Sequence, residues 1–269
     1  MNYDNNNVSI LFNTTATGAS TPTFAPQVTF PTGPGPYPIS IADFNSDGKP
    51  DLAVGLGGLS ILLNTTPAGA AIPAFATQVP FATGSVPFSV STGDFNADGK
   101  PDLAVANIDS NSVSILLNTT PTGAATPTFA PKIDFTTGTQ PVSVSIGDFN
   151  GDGKPDLAVS NYNSNNVSIL LNTTLTGAAT PNFAPQVTFP TGIVPYLMGV
   201  GDFNGDGKPD LAVPNIGGSN TVSILLNTTS KVTAVTATTP DGTYGVGSTI
   251  AITVTFDALS PSPARPNSN

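Results

Sequence analysis

One twelve-residue segment recurs four times without a gap, and this repetition constrains the fold more than any other feature of the chain. It reads DFNSDGKPDLAV from Asp43, DFNADGKPDLAV from Asp94, DFNGDGKPDLAV from Asp148 and DFNGDGKPDLAV again from Asp202. A second marker recurs as VSILFN from Val8, LSILLN from Leu59 and VSILLN from Val113, Val167 and Val222, each time followed by Thr-Thr. A third, ending in Thr-Gly, runs FAPQVTFPTG from Phe24, FATQVPFATG from Phe75, FAPKIDFTTG from Phe129 and FAPQVTFPTG from Phe183. The chain is therefore built from one supersecondary module of about fifty residues that stacks on copies of itself.

Each module reads as four short strands. In the third, Val142, Val144 and Ile146 alternate with Ser143 and Ser145, the period of a strand. Leu157 to Val159 form a second strand, a polar turn covers 161–166, Val167 to Leu171 form a third strand, and Ala184 to Phe189 a fourth. No segment has helical periodicity, and with 27 Gly and 27 Pro among 269 residues long surface helices are not expected. Four strands per repeating unit is the pattern of a β-propeller blade, so the fold class is all-β, a β-propeller of four-stranded blades. Small Ser and Ala side chains alternating with Val, Ile and Leu suit sheets stacked face to face.

The twelve-residue marker carries the chemistry. Counted from its first Asp, side-chain oxygens stand at positions 1, 3, 5 and 9, with Gly at 6 and Lys at 7. Ca²⁺ takes six to eight oxygen ligands, and a loop supplies them by turning alternate residues inward around a tight turn that Gly permits. Lys at position 7 would ligate through its backbone carbonyl while its ammonium points to solvent. Position 12 is Val, so the bidentate acid of an EF-hand is missing and position 9 is expected to ligate directly. The alternative is an Asx-turn hairpin that tolerates acid and binds nothing.

Charge supports the metal reading. All 17 acidic residues are Asp, and twelve lie in the four loops, leaving Asp4, Asp109, Asp134, Asp241 and Asp257. Carboxylates about 5 Å apart repel by about 1–3 kcal/mol per pair, which a cation relieves. His and Cys are absent, which removes Ser/His and Cys/His catalysis and zinc sites. Asp109 and Asp134 show no pairing for acid and base work, so no enzymatic activity is expected. Seven Lys and Arg cannot make a nucleic-acid footprint, and no apolar run reaches the length of a membrane span. The opening MNYDNNNVSILF carries no secretory signal pattern.

DFNGDGKPDLAV followed by NVSILLN resembles the FG-GAP-like or VCBS-type repeat, related to the blades of integrin α-subunit propellers. The resemblance spans about 1–229. It implies a propeller, usually seven-bladed, with Ca²⁺ in the hairpin loop between the first two strands of each blade, in proteins that are commonly secreted or surface-exposed. By position, the calcium ligands carry over to Asp43, Asn45, Asp47, Lys49 and Asp51; to Asp94, Asn96, Asp98, Lys100 and Asp102; to Asp148, Asn150, Asp152, Lys154 and Asp156; and to Asp202, Asn204, Asp206, Lys208 and Asp210, each Lys by its carbonyl. About four ions are expected, in an extracellular module for adhesion, scaffolding or interaction with a protein or glycan at the cell surface. The alternative is a carbohydrate-binding propeller or an ancillary domain of a polysaccharide-active enzyme.

The expected organisation is a partial unit at 1–33, units at about 36–84, 87–138, 141–192 and 195–229, a partial segment at 230–258 that resembles an immunoglobulin-like or cadherin-like surface module, and a disordered tail at 259–269. The ring is either incomplete or closed by the strand near Phe24 to Phe30 pairing with the last blade; an incomplete ring is favoured. Asn-Thr-Thr at Asn13, Asn64, Asn118, Asn172 and Asn227 is read as a structural turn rather than a glycan acceptor. Tyr37, Phe88 and Tyr196, equivalent positions at first-strand starts, are read as blade packing rather than a sugar platform.

Overall fold

The computed structural model describes residues 1–55, 57–218, 220–229, 232–237 and 252–256. A short 3-10 turn, Tyr3–Asn5, leads into β1 (Asn7–Ile10), which pairs with β2 (Val28–Pro31). Two complete four-stranded antiparallel sheets follow in chain order, β3 (Ile39–Ala42), β4 (Asp51–Val54), β5 (Leu59–Leu62) and β6 (Val79–Phe81), then β7 (Pro87–Gly93), β8 (Asp102–Asn107), β9 (Ser112–Leu116) and β10 (Ile133–Thr136). A third contains β11 (Pro141–Gly147), β12 (Asp156–Asn161), β13 (Asn166–Leu170) and β14 (Val187–Pro190). The next sheet has three strands, β15 (Gly199–Gly201), β16 (Asp210–Asn215) and β17 (Thr221–Leu225). Finally β18 (Val232–Ala237) pairs with β19 (Ile252–Phe256); the turn around Pro240 and the tail at 259–269 lie outside the described residues.

The protein is thus an all-β, incomplete propeller, and the ring is not closed. β2 pairs with β1 in a two-stranded sheet, and among the described residues it does not bridge to the last blade. Among the described residues no helix is long and apolar enough to cross a membrane.

The sequence DLAV explains how the sheets stack. Because strand side chains alternate, Leu103 and Val105 point to one face of β8 and Ala104 to the other. Leu103 and Val105 join a buried cluster with Ala53, Leu59 and Ile61 of the preceding sheet, whereas Ala104, Val113 and Ile115 join Leu157 and Val159 of the following one. Ala158 and Val167 in turn meet Leu211 and Val213, and Val8 of the half-sheet meets Leu52 and Val54. Every blade therefore presents an alanine-bearing face forward and a leucine-bearing face backward.

The alternating serines do more than allow close approach. Ser91 Oγ donates to the Val144 carbonyl at 2.7 Å, Ser89 Oγ accepts from the Val144 amide at 3.1 Å, and Ser143 Oγ accepts from the Met198 amide at 3.4 Å. These bonds tie neighbouring innermost strands together. The fourth strand of the third sheet begins at Val187 rather than at Ala184, because between the Ile169–Val187 pair and the isolated bridge of Asn172 to Phe183 the outer strand carries one residue more than its partner; the sheet ending in β6, with Thr77 at the place of Pro185, breaks at the same point.

At the forward end the pattern stops. Val113 and Ile115 are fully buried, but their equivalents Val222 and Ile224 are exposed, because no sheet covers the forward face of β17 among the described residues. This asymmetry yields a test. Ala158→Leu, in a closed interface, is expected to destabilise by about 1–3 kcal/mol through overpacking. Ala212→Leu, at the open end, should change stability far less; urea unfolding of the two variants measures the difference.

Candidate metal-binding loops and their inter-blade clasps

Each acidic loop joins the first and second strands of its sheet. In the third, Asp148 Oδ1 accepts the amides of Gly151 and Asp152 at 2.7 and 3.0 Å, and Oδ2 that of Gly153 at 2.8 Å. Asn150 Oδ1 accepts the Asp152 amide at 2.9 Å, and Asp152 Oδ1 the Lys154 amide at 2.9 Å. The same bonds from position 1 to the amides of positions 5 and 6 recur at Asp43, Asp94 and Asp202. Gly153 at position 6 has φ 82°, the left-handed conformation that the turn needs and that a side chain rarely adopts.

Position 9 takes other partners. Asp102 Oδ2 accepts the Phe95 amide at 2.8 Å and Oδ1 the Asn118 amide at 2.7 Å, and Asp51, Asp156 and Asp210 make the equivalent pairs. All four are fully buried. The structure thus gathers positions 1, 3 and 5 on one local turn and anchors position 9 to the end of the third strand; among the described residues no three carboxylates converge closely enough to enclose an ion.

The lysines differ from expectation. Lys100 and Lys154 do not point free into solvent; each ammonium donates at 3.0 Å to the carbonyl of Thr120 or Thr174, and that of Lys49 pairs with Asp47 at 3.3 Å. A carbonyl on the adjoining turn and a carboxylate within the loop both lie within reach of the flexible stem, and either replaces water as partner.

Three features bear on whether a hard cation fits. The donors are all carboxylate, carboxamide or carbonyl oxygens, the set that Ca²⁺ prefers. A carboxylate has about four lone-pair sites, so the amide bonds leave acceptor capacity on every loop Asp. In the first loop Asn45 Oδ1, at position 3, is buried with no hydrogen-bond partner. Electrostatics agree: burial, opposed by the two amides and reinforced by Asp98 and Asp94, pushes the Asp102 carboxyl up from 3.8 to about 7. Burial likewise raises Asp51 and Asp156, whereas the exposed Asp202 is lowered, foremost by the Gly207 amide.

Sequence reading missed the clasp between loop and neighbouring blade. Asn118 Nδ2 donates across the interface to the Phe44 carbonyl at 3.0 Å, Asn172 Nδ2 to that of Phe95 at 3.0 Å, and Asn227 Nδ2 to that of Phe149 at 2.9 Å. In the opposite sense Asn45 Nδ2 donates to the Ala124 carbonyl and Asn96 Nδ2 to that of Ala178, while the Gly123 and Gly177 amides donate back to the carbonyls of Asn45 and Asn96. The signal was the Gly-Ala that recurs after each of the first four Asn-Thr-Thr sequences, at 18–19, 69–70, 123–124 and 177–178. Asn-Thr-Thr is the structural turn expected: Asn118 Oδ1 accepts the Thr120 amide, and Asn118 and Asn172 are both buried.

Tyr37, Phe88 and Tyr196 stack on one another, with ring centroids 4.8 and 6.2 Å apart and the two tyrosine hydroxyls at 3.1 Å. Burial, with the hydrogen bond to Tyr37 adding to it, pushes the Tyr196 hydroxyl up to about 12. Asp134 accepts from Ser114 at 2.6 Å and pairs with Lys132, and Asp109 lies in the turn between β8 and β9.

Solved structures similar to this chain include BBS1N in complex with ARL6DN, soaked with mercury (TM-score 0.43, 17% identity, covering 70% of this chain and 52% of that one), and the same complex soaked with lead (TM-score 0.34, 15% identity, 83% and 75%). The chain spans about half the length of the first. No curated protein matches the sequence. The family model of the FG-GAP-like repeat matches residues 2–54, 94–159 and 149–213, together more than half of the chain, on the same loops and strands described above. The chain belongs to the FG-GAP-like repeat family.

Proposed function

We propose that this protein is a non-enzymatic interaction propeller, working outside the cell in adhesion or scaffolding, whose four loops take Ca²⁺. The observation that carries this reading is the clasp: each of the first two acidic loops is gripped by the next blade through both a side chain and a main-chain carbonyl of its position-3 Asn. Order imposed on a loop is therefore felt at a blade interface. The side chains at positions 1, 3, 5 and 9, with the Lys carbonyl at 7, would hold the ion. When bound, it supplies positive charge that neutralises the clustered carboxylates. The chain's own part is to present these oxygens on a turn already closed by amides, so little ordering is left for binding to impose. The partner is a protein or glycan surface.

Extracellular calcium modules bind with dissociation constants of about 10⁻⁴–10⁻³ M. At tenfold excess over that constant each site adds about 1.4 kcal/mol, and four add about 6 kcal/mol, comparable with the stability of a whole domain.

Two substitutions separate ligation from architecture. Asp152 is exposed and makes one local amide bond, so Asp152→Ala is expected to remove one of about four ions in titration calorimetry and to leave the melting temperature in EDTA nearly unchanged. Asp156→Ala strands the buried Phe149 and Asn172 amides, at about 1–3 kcal/mol each, and lowers the melting temperature with or without calcium. Failure of the wild-type protein to bind Ca²⁺ would return the loops to the Asx-turn reading.

The pH dependence has a definite sign. Asp102 binds its proton more tightly folded, at about 7, than unfolded, at 3.8, so the fold loses stability as pH rises between those values. Asp51 and Asp156 act in the same sense. Thermal melts of the chelated protein are expected at higher temperature on the acid side of that interval than above it, and saturating Ca²⁺, which favours the ionised carboxylates, should flatten the trend.

A further inference from the structure

A phenylalanine knob recurs at the blade interfaces. Phe129 inserts between Phe44 and Phe81 of the preceding sheet, with ring centroids 5.9 and 5.0 Å away, and Phe183 inserts between Phe95 and Phe135, at 5.7 and 5.1 Å. Phe75 meets Phe30 of the half-sheet in the same way, at 5.0 Å. Each knob opens the outer strand of its sheet and bridges to the Asn of the Asn-Thr-Thr turn before it. These edge-on contacts are the favourable aromatic geometry.

At the last interface the socket is built and, among the described residues, no knob fills it. Phe149 and Phe189, with Ile169, Leu171, Val187 and Leu225, line an open apolar cavity of about 360 Å³. Phe189 is 43% exposed, and the position where the spacing from Asn227 would place a knob is Thr238. Among the described residues nothing pairs with the outer edge of β17. At the other end Phe24, the knob of the half-sheet, is 57% exposed and has no socket.

The two loose ends match in sequence. Residues 222–229, VSILLNTT, are identical to 167–174, and residues 24–33, FAPQVTFPTG, are identical to 183–192. Inside the molecule the 167–174 and 183–192 copies already form a strand pair, with Val167 opposite Phe189, Ser168 opposite Thr188 and Ile169 opposite Val187. The same register on β17 sets Val222 opposite Phe30, Ser223 opposite Thr29 and Ile224 opposite Val28. We infer that residues 24–33 of a second copy of this chain supply the missing fourth strand of the last blade, adding to the free edge of β17 and seating Phe24 in the Phe149/Phe189 socket. The donor segment leaves a two-stranded sheet, which is marginal by itself, and the Phe30–Phe75 contact, and gains a place in a four-stranded sheet and a socket for Phe24. Donor and acceptor are different surfaces of one chain, so association closes as a reciprocal exchange or a ring, or runs on head to tail. The contact uses no loop carboxylate.

Sedimentation velocity of the full chain in Ca²⁺, with folding checked by circular dichroism, tests this. Expected are concentration-dependent oligomers whose association Phe24→Ala weakens by about tenfold or more, the scale of a buried aromatic hot spot. A synthetic peptide of residues 20–33 should dissociate them, and hydrogen exchange should show the β17 amides protected in the oligomer. A monomer at every concentration would overturn the inference, whether β17 exchanges freely or is protected by the same chain's own strand; so would oligomers indifferent to Phe24→Ala.

Discussion

Each blade depends on one buried carboxylate. Asp102 binds the amide of Phe95 in the loop and the amide of Asn118 at the end of β9, joining the entrance of the second strand to the exit of the third. Held there, Asn118 reaches the Phe44 carbonyl of the neighbouring loop. One ionisable oxygen pair thus fixes a hairpin, orients an amide and, through it, spaces two sheets. Removing such a group exposes its partners' unmet hydrogen bonds, which is why its burial persists despite the desolvation that raises its pKa.

The same economy separates two roles within a single loop. Positions 1 and 5 order a local turn with position 3, whose Asn is buried in the first two loops, whereas position 9 belongs to the framework. Within one Asp-rich loop the local-turn carboxylates and the carboxylate that also holds the blade differ in burial, and this difference assigns them different consequences on mutation.

Much of the fold was legible in the sequence, because period and alternation are local. The four-strand unit, the loop between first and second strands and the left-handed glycine at position 6 all follow from spacing, as does the structural turn at Asn-Thr-Thr. What escaped was of longer range or finer grain. Asn118 and the Phe44 carbonyl are 74 residues apart, and no local pattern announces their meeting. The ammonium of Lys154 finds the Thr174 carbonyl on the adjoining strand turn, which spacing within the loop cannot show. One extra residue between Phe183 and Val187 interrupts the outer strand's ladder, a register detail that alternation does not announce. The buried Asp of position 9 and the more exposed Asp of position 1 are the same letter, and only their neighbours tell them apart.

The alternation of alanine-bearing and leucine-bearing faces has a kinetic side. Because every blade meets its neighbours through nearly the same interface, stability is distributed as a sum of nearest-neighbour couplings, and a blade flanked on both sides is held twice. The third sheet, between two partners, is held this way, while among the described residues the three-stranded sheet of β15, β16 and β17 packs a face on one neighbour and otherwise meets the chain through Tyr196. Opening therefore begins at the ends and moves inward one blade at a time. The molecule unravels like a short zipper with a loose end, and its central blades outlast its margins.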